Sequence, residues 1–321
     1  MKIISVLIVG LGGIGFKFDD TLSSESLVLS HSRAFSIHPN FQVIGGVDLD
    51  KSSRVDFATI YNCKIYSQIE RALLDLNPDL VVVATPTKTH KDTIKKIFNF
   101  ANPSIIVCEK PLAYTLEDAE KIVKICKNNK AQLFVNYMRN SSKVTVEIKK
   151  RIEDEIIAPP FKIIQWYSKG IINSASHFVT LFNCLFGMPV KIESLSKNTK
   201  EKEVTDNNFD FKICYNNVEV FFISLQNKTV FHNSFELIAK NGRLLYERGG
   251  EFVRWFPISN DGIYPGYNMY SDIAFNLESD FPTMQLQFVN NLWEKINGRE
   301  ALICSGGEAI QTMILLNKIL S

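Results

Sequence analysis

The sequence is short of cysteine, and none of its six cysteines stands in a pair: Cys63, Cys108, Cys126, Cys184, Cys214 and Cys304 are scattered, with no C-x-x-C anywhere. That spacing argues against a disulfide framework or a thiolate zinc site and fits a reducing cytosol. Long hydrophobic runs are missing too. No apolar stretch reaches the ~18–20 residues needed to cross a bilayer. The opening run Ile3–Val9, preceded by Lys2, has the look of a signal peptide but soon meets a glycine-rich turn, with no A-x-A cleavage pattern after it. It reads as a buried strand, and the chain as a soluble, cytoplasmic protein without a membrane partner. Charge of one sign is also lacking. Thirty-six basic residues stand against 34 acidic ones, a formal +2, too balanced for a binder of nucleic acid or another polyanion. No internal repeat or low-complexity tract interrupts the chain.

What is present is an ordinary globular composition, 45% hydrophobic and 22% charged over 321 residues. At ~100–200 residues per domain, that length predicts two domains. Up to residue 137, short Val- and Ile-rich runs alternate with helical patterns. The runs are Ile3–Val9, Phe41–Val47, Leu80–Ala84, Ile105–Cys108 and Leu133–Asn136, nearly uninterrupted, as strands buried on both faces of a parallel sheet should be. Helices are expected over Thr89–Ala101 and Leu116–Asn129, the second opened by Thr115 and Asp118 in capping-box spacing. Right-handed β-α-β crossovers follow, so residues 1–137 read as a doubly wound α/β domain.

Residues 138–321 have another texture. After a polar helical segment, Ser142–Asp154, strands follow one another without helices between them. They are Phe161–Tyr167, Val190–Lys197, Asp210–Tyr215, Val218–Leu225, Phe231–Ala239 and Arg243–Glu247. Asn216-Asn217 and Asn241-Gly242 read as hairpin turns. Helices over Met284–Ile296 and Gly307–Leu320 close the chain, predicting an α+β domain whose mainly antiparallel sheet is covered on one side. Aromatics on its strands (Phe209, Phe211, Phe221, Phe222, Phe231, Phe235) suggest that the open face meets another subunit, in a homodimer or homotetramer.

The first strand ends in Gly10-Leu11-Gly12-Gly13-Ile14-Gly15, a G-x-G-x-x-G turn. Gly10 would make the tight turn, Gly12 would let a pyrophosphate approach the backbone, and Gly15 would permit close helix–strand packing. The amino-terminal N–H groups of the following helix would face the phosphates, with Gly13 and Ile14 at its start. The second strand ends at Asp48, a carboxylate placed to accept hydrogen bonds from an adenosine ribose. It follows Gly15 by 33 residues, where the fingerprint expects ~20. The excess falls in the polar stretch Phe16–Ser30, which contains Asp19 and Asp20 and reads as an insertion before the body of the first helix. Asp48 favours NAD, since its charge would repel a 2′-phosphate, while Lys51 and Arg54 keep NADP open.

Four further segments stand in a telling order. Thr85-Pro86-Thr87-Lys88-Thr89-His90 leaves one strand, and Glu109-Lys110-Pro111 leaves the next. Asn136-Tyr137-Met138-Arg139 ends the sheet, and Gly170 to His177 opens a helix in the second half. With the glycine turn and the closing Ser305-Gly306-Gly307-Glu308-Ala309, this order resembles the glucose–fructose oxidoreductase / inositol dehydrogenase / MocA family over nearly the whole chain.

The resemblance implies an NAD(P)-binding Rossmann domain followed by an open-faced domain for substrate and oligomer contacts. It also implies hydride transfer between nicotinamide and a hydroxyl-bearing carbon of a sugar, nucleotide sugar or cyclitol. The family's lysine falls on Lys110 and its catalytic histidine on His177. Its usual aspartate four residues earlier is Asn173 here, a common glycine is Ala175, and an acidic residue after the histidine is Thr180. Thr85, Pro86, His90 and Glu109 join Asp48 and the glycine turn as cofactor contacts, and Arg139 joins Lys110, Asn173 and His177 as substrate contacts.

The chemistry suits these residue types. An alcohol undergoing oxidation needs a base for its proton, which His177 could supply. Lys110 could hydrogen-bond the same oxygen and stabilise alkoxide charge. Asn173, four residues before His177, shares its face if the helix includes both. An asparagine orients an imidazole but cannot stabilise imidazolium as a carboxylate would, which shifts acid–base work toward Lys110. The same substitution keeps a non-catalytic dinucleotide sensor on this scaffold open as an alternative. The segment Trp255–Asp280, with aromatics, glycines and no periodicity, reads as a loop covering the cleft.

Overall fold

The computed structural model describes residues 3–19, 26–195, 206, 208–225 and 230–320. They form two units, residues 1–141 with 282–311 and residues 142–281 with 312–321. The expected two-part division at residue 137 is therefore altered, because part of the second half folds back into the first unit.

The first unit is built on six parallel strands, β1 (Ile4–Val9), β2 (Phe41–Val47), β3 (Lys64–Tyr66), β4 (Leu80–Val83), β5 (Ile105–Cys108) and β6 (Gln132–Val135). Their order across the sheet is β3-β2-β1-β4-β5-β6. All residues of β4 and β5 are buried, which explains their unbroken apolar runs. The strand β3 was not legible: its three residues lie at the sheet edge and are too few to show a period. Between the strands run α1 (His31–Ile37), α2 (Lys51–Tyr61), α3 (Ile69–Leu76), α4 (His90–Phe100) and α5 (Leu116–Asn128). The predicted cap on α5 forms, with Thr115 accepting the Asp118 N–H at 3.2 Å. The helix α8 (Met284–Ile296) belongs to this unit because Phe288, Val289 and Leu292 complete a core shared with Phe35, Phe41 and Val82. Beyond it, the chain runs beside β6, where the Val135 N–H donates to the Cys304 carbonyl at 2.9 Å.

The polar stretch Phe16–Ser30 is an insertion, as expected. A π-helical turn, Gly13–Lys17, follows the glycine loop, and α1 begins only at His31. Its Asp19 carboxylate accepts the N–H groups of Leu29 and Ser30 at 3.0 and 2.6 Å, closing the loop at its base. Asp20 and residues 21–25 lie outside the described residues.

The second unit starts with α6 (Lys143–Glu153), capped by Ser142. Its sheet contains β7 (Phe161–Tyr167), β8 (Lys191–Ser194), β9 (Phe211–Tyr215), β10 (Val218–Ser224), β11 (Asn233–Ala239), β12 (Gly242–Glu247), β13 (Phe252–Asn260), β14 (Asn268–Tyr270) and β15 (Phe275–Leu277). The path is β14-β13-β12-β11-β7-β10-β9-β8, with β15 also on β13, and all pairs are antiparallel except β7 with β10. One face packs under α7 (Ser176–Phe186) and the end of α9 (Gly306–Leu320), around Phe178, Phe182, Leu316 and Ile319.

Three expectations need correction. The segment Trp255–Asp280 is not a loop throughout, because it holds most of β13 and all of β14 and β15. The tight turn before β12 is Lys240-Asn241, with Ala239 opposite Gly242, so Gly242 is already in the strand. There the Trp255 ring occupies the space a side chain would need, 2.4 Å from an added Cβ. Of the six aromatics assigned to the open face, Phe209, Phe211, Phe222 and Phe235 are buried in the core instead. The strand period puts them on the covered side, and the open side carries Ile164, Trp166 and Phe221. The predicted strand at Val190–Lys197 is seen as Lys191–Ser194, its last two positions lying outside the described residues.

Candidate active site

In the first unit the site residues gather at the carboxyl ends of the parallel strands, where the order reverses between β1 and β4. Open α/β sheets bind ligands at such a switch point. Gly10 follows β1, Asp48 follows β2, Thr85 and Pro86 follow β4, Glu109 and Lys110 follow β5, and Asn136 follows β6.

The glycine turn has the geometry its sequence predicts. Gly10 has φ +97°, and a Cβ there would lie 2.6 Å from the Ala84 carbonyl oxygen. A Cβ on Gly15 would come within 2.0 Å of the Gly10 carbonyl oxygen. At Gly12 the opposite holds: an added Cβ would meet nothing within 4 Å. Two glycines are thus demanded by the protein's own packing, while the third faces open space of the kind a pyrophosphate approaching the backbone requires. Gly13 and Ile14 begin the π-helical turn that follows. The residues present therefore fit a dinucleotide.

Asp48 is tied to this turn, its Oδ2 accepting the Leu11 N–H at 2.7 Å and its Oδ1 the Asp50 N–H at 2.8 Å. Each oxygen keeps a further lone-pair direction for a ribose hydroxyl. Arg54 folds back over the same corner and donates to the carbonyls of Asp48 and Leu49 at 2.8 and 2.9 Å. Asp50 caps α2, and its bonds from Ser53 pull its carboxyl down to about 2.

After β4, Pro86 leads into a short 3-10 turn, Thr87–Thr89, and Thr89 Oγ1 donates to Thr85 Oγ1 at 2.9 Å. His90 is buried and faces protein carbonyls with both ring nitrogens: Nε2 lies 2.8 Å from the Thr85 oxygen and Nδ1 3.1 Å from the Leu112 oxygen. It ties the loop after β4 to the loop after β5.

Glu109 lies at the centre of a buried polar ring. Its Oε1 accepts from His31 Nε2 at 2.7 Å and from Asn136 Nδ2 at 2.6 Å. Gln285 closes the ring, donating from Nε2 to His31 Nδ1 at 2.9 Å and accepting from Asn136 Nδ2 at 3.0 Å. Burial pushes the Glu109 carboxyl up, but the bond and charge of His31, the bond from Asn136 and the charge of Lys110 together hold it below the ordinary value. His31 and Gln285 were missed in the sequence. His31 looked like the first polar residue of an amphipathic helix, and Gln285 lies 149 residues from Asn136. Lys110 itself is half-buried at the turn, and Arg139, in a 3-10 turn at Met138–Ser141, is buried.

In the second unit, His177 lies in the first turn of α7, 8% exposed, on a helix otherwise packed into the aromatic core. The preceding residues Ile171–Ala175 form a π-helical turn, so the α-helical i, i+4 argument does not apply at Asn173. Asn173 is exposed, and its amide donates to the Lys169 carbonyl at 3.4 Å. The carboxylate at this turn comes from elsewhere. Asp206 accepts the backbone N–H groups of Ile172 and Asn173 at 2.8 and 2.7 Å. Nothing in the sequence pointed to Asp206, which lies in a polar stretch 33 residues beyond Asn173.

Comparison with known proteins supports this geometry. Residues 4–137 match the oxidoreductase family of NAD-binding Rossmann fold. Inositol 2-dehydrogenase of Rhizobium meliloti (strain 1021) is 28% identical over 124 residues, covering 39% of this chain and 37% of that one. The rhizopine catabolism protein MocA of Rhizobium meliloti is 36% identical over 80 residues, 25% of this chain and 23% of the relative. The aligned part thus spans little more than a third of these relatives at most, all of it sequence similarity of limited reach. The fold likeness extends further. The WlbA dehydrogenase of Bordetella pertussis, solved with NADH and UDP-GlcNAcA, superposes with a TM-score of 0.72 at 17% identity, covering 99% of this chain and 95% of that one. Among the described residues, no helix is long and apolar enough to cross a membrane. Through its amino-terminal domain the chain belongs to the glucose–fructose oxidoreductase / inositol dehydrogenase / MocA family of oxidoreductases.

Proposed function

We propose that the protein is an NAD-dependent dehydrogenase or reductase acting on a hydroxyl-bearing carbon of a sugar, nucleotide sugar or cyclitol. The observation that carries this reading is the glycine turn: packed tightly at Gly10 and Gly15, open at Gly12, and joined to Asp48 through the Leu11 N–H. A sensor would need the same turn, but it has no need of the E-K-P lysine and the α7 histidine together. The names of two neighbours, an inositol dehydrogenase and a dehydrogenase solved with a nucleotide sugar, support the substrate class.

In this reading the bound nicotinamide supplies the hydride acceptor or donor. Asp48 receives the adenosine ribose hydroxyls, and its charge favours NAD over NADP. Thr85 and Pro86 border the dinucleotide, while His90 fixes their loop from behind. Lys110 donates a hydrogen bond to the substrate oxygen and stabilises negative charge there. His177 takes the hydroxyl proton during oxidation and returns it during reduction. Arg139 and Asn173 are assigned to the substrate's polar groups.

The open sheet face fits a homo-oligomer. It carries Ile164 and Trp166, 40% and 39% exposed, beside ion pairs such as Arg254–Glu247 at 2.6 Å and Arg243–Glu236 at 3.3 Å.

The test is nicotinamide absorbance on incubation with NAD or NADP and a panel of cyclitols, free sugars and nucleotide sugars. The Lys110→Ala, His177→Ala double variant serves as control. Turnover that the double variant loses supports the reading. Tight NADH binding without turnover on any panel member would favour the sensor instead.

A further inference from the structure

The ring around Glu109 has a definite proton arrangement. The Asn136 amide uses one N–H for Glu109 Oε1 and the other for Gln285 Oε1. Gln285 therefore presents its Nε2 to His31, and a donor there requires His31 Nδ1 to be an acceptor. The proton of His31 then resides on Nε2, from which it donates to Glu109 at 2.7 Å. The opposite orientation of Gln285 would set two N–H donors against each other. Each member of the ring thus fixes the next, and His31 is neutral.

A neutral histidine leaves the ring with one charge, that of Glu109. A buried carboxylate with no counter-charge is costly, so another group must share in holding it. The cation acting on it is Lys110, the next residue. The influence runs both ways: an anion fixed in place by three side chains holds the adjacent ammonium in place and in its charged form. The ring members come from the start of α1, the ends of β5 and β6, and the start of α8, all inside one unit. It is therefore rigidly framed.

We propose that His31, Asn136 and Gln285 are positioning residues that hold Glu109 as a buried anion, so that Lys110 meets the substrate oxygen as a fixed ammonium. Glu109 then acts through Lys110 and not as a cofactor ligand. In the reductive direction Lys110 delivers a hydrogen bond, or its proton, to the oxygen that receives charge. This inference deepens the reading of Lys110 given above and rests on it for its catalytic part.

Its structural part can be tested without substrate or turnover. In 15N-labelled protein, the side-chain resonances of His31, identified by their loss in His31→Gln, should show a neutral ring protonated on Nε2. A charged ring, or one protonated on Nδ1, overturns the arrangement. In protein whose lysines carry 13C-methyl groups, the Lys110 signal, identified with Lys110→Arg, should titrate at lower pH in Glu109→Gln than in wild type. An unchanged titration overturns the coupling.

The catalytic part is tested by a cycle. Glu109→Gln should lower kcat on the order of 10- to 100-fold in the wild-type background, yet have little effect when Lys110 is already alanine. The NADH dissociation constant should stay within about 3-fold throughout, a change worth less than the 1.4 kcal/mol of a tenfold effect. Equal losses in both backgrounds, or NADH binding weakened as much as turnover, overturn it. His31→Gln, which keeps a donor toward Glu109, should retain more kcat than His31→Leu. If instead Lys110→Ala keeps full turnover, the assigned role of Lys110 fails, and the two NMR titrations still decide whether the ring holds Glu109 as described.

Discussion

The carboxylate of Asp48 accepts the backbone N–H of Leu11 at 2.7 Å, joining the end of β2 to the glycine turn after β1. The residue proposed to read the ribose is therefore also a brace for the loop proposed to hold the phosphates. Asp48→Asn separates the two duties, since its amide oxygen can still accept from Leu11 while the charge is gone. The variant should keep the wild-type unfolding midpoint and lose preference for NADH over NADPH by about tenfold, as like-charge repulsion of a 2′-phosphate disappears. Fluorescence titration with both nucleotides measures it. An unchanged preference would remove Asp48 from cofactor choice.

The glycine turn makes a sharper contrast. A methyl at position 15 collides with the Gly10 carbonyl, whereas a methyl at position 12 enters empty space. Gly15→Ala should lose about 2–3 kcal/mol in urea unfolding, because backbone must shift to admit it. Gly12→Ala should stay within about 0.5 kcal/mol of wild type and weaken NADH binding at least about tenfold, or 1.4 kcal/mol. If Gly12→Ala binds NADH normally, the open space there is not where the pyrophosphate sits.

Much of this was legible from the chain alone, for a physical reason. Strands buried on both faces, such as β4 and β5, announce themselves as unbroken apolar runs. The motifs at their carboxyl ends inherit their place from the topology. What escaped were short or long-range features. The edge strand β3 has three residues and no period. The aromatics Phe211 and Phe222 stack at 4.3 Å in the core, yet they read as open-face residues, because the alternating period does not say which set faces inward. Gln285 joins Glu109's ring from a helix that composition assigned to the other domain, and Asp206 reaches Asn173 from a stretch without any motif.

Asp206 bears on the substitution of asparagine for the family's usual aspartate at position 173. Its carboxylate takes two N–H groups at the opening of the helix that carries His177, where the helix dipole favours negative charge. Asp206→Ala should lower stability by about 1–2 kcal/mol, the usual cost of losing a cap. Asn173→Asp would place a second carboxylate beside the first and should not raise turnover. A rise would mean that position 173 acts on His177 independently of Asp206.

The pH dependence of stability follows from Glu109. Its carboxyl is depressed in the folded protein relative to an ordinary value of 4.5. A group depressed in this way contributes stability above its unfolded value and loses it as the pH falls through the folded one. Urea midpoints of the wild type should therefore decline as the pH drops below about 4.5. Glu109→Gln should be less stable at neutral pH and show a shallower decline over the same range. Parallel curves for the two proteins would mean that other carboxylates set the acid limb.

The open sheet face gives the last prediction. Ile164 and Trp166 alternate with buried residues along β7, so their exposure is imposed by the strand period and cannot be relieved by local repacking. Around them, Lys162 pairs with Glu219 at 3.2 Å, and Arg243 and Arg254 pair with Glu236 and Glu247 across neighbouring strands. Charges already paired within one face present little net repulsion to a second copy, while the apolar side chains between them gain from burial. A specific interface needs about 800 Å² from each partner, an area that a nine-stranded sheet can offer. Light scattering on the eluting wild type should give a mass at least twice that of the chain, whereas Ile164→Glu with Trp166→Glu should elute as a monomer with its NADH affinity unchanged. A wild-type monomer at micromolar concentration would assign the exposed face to another partner, and loss of NADH binding in the variant would show that the substitutions had damaged the fold and not merely an interface.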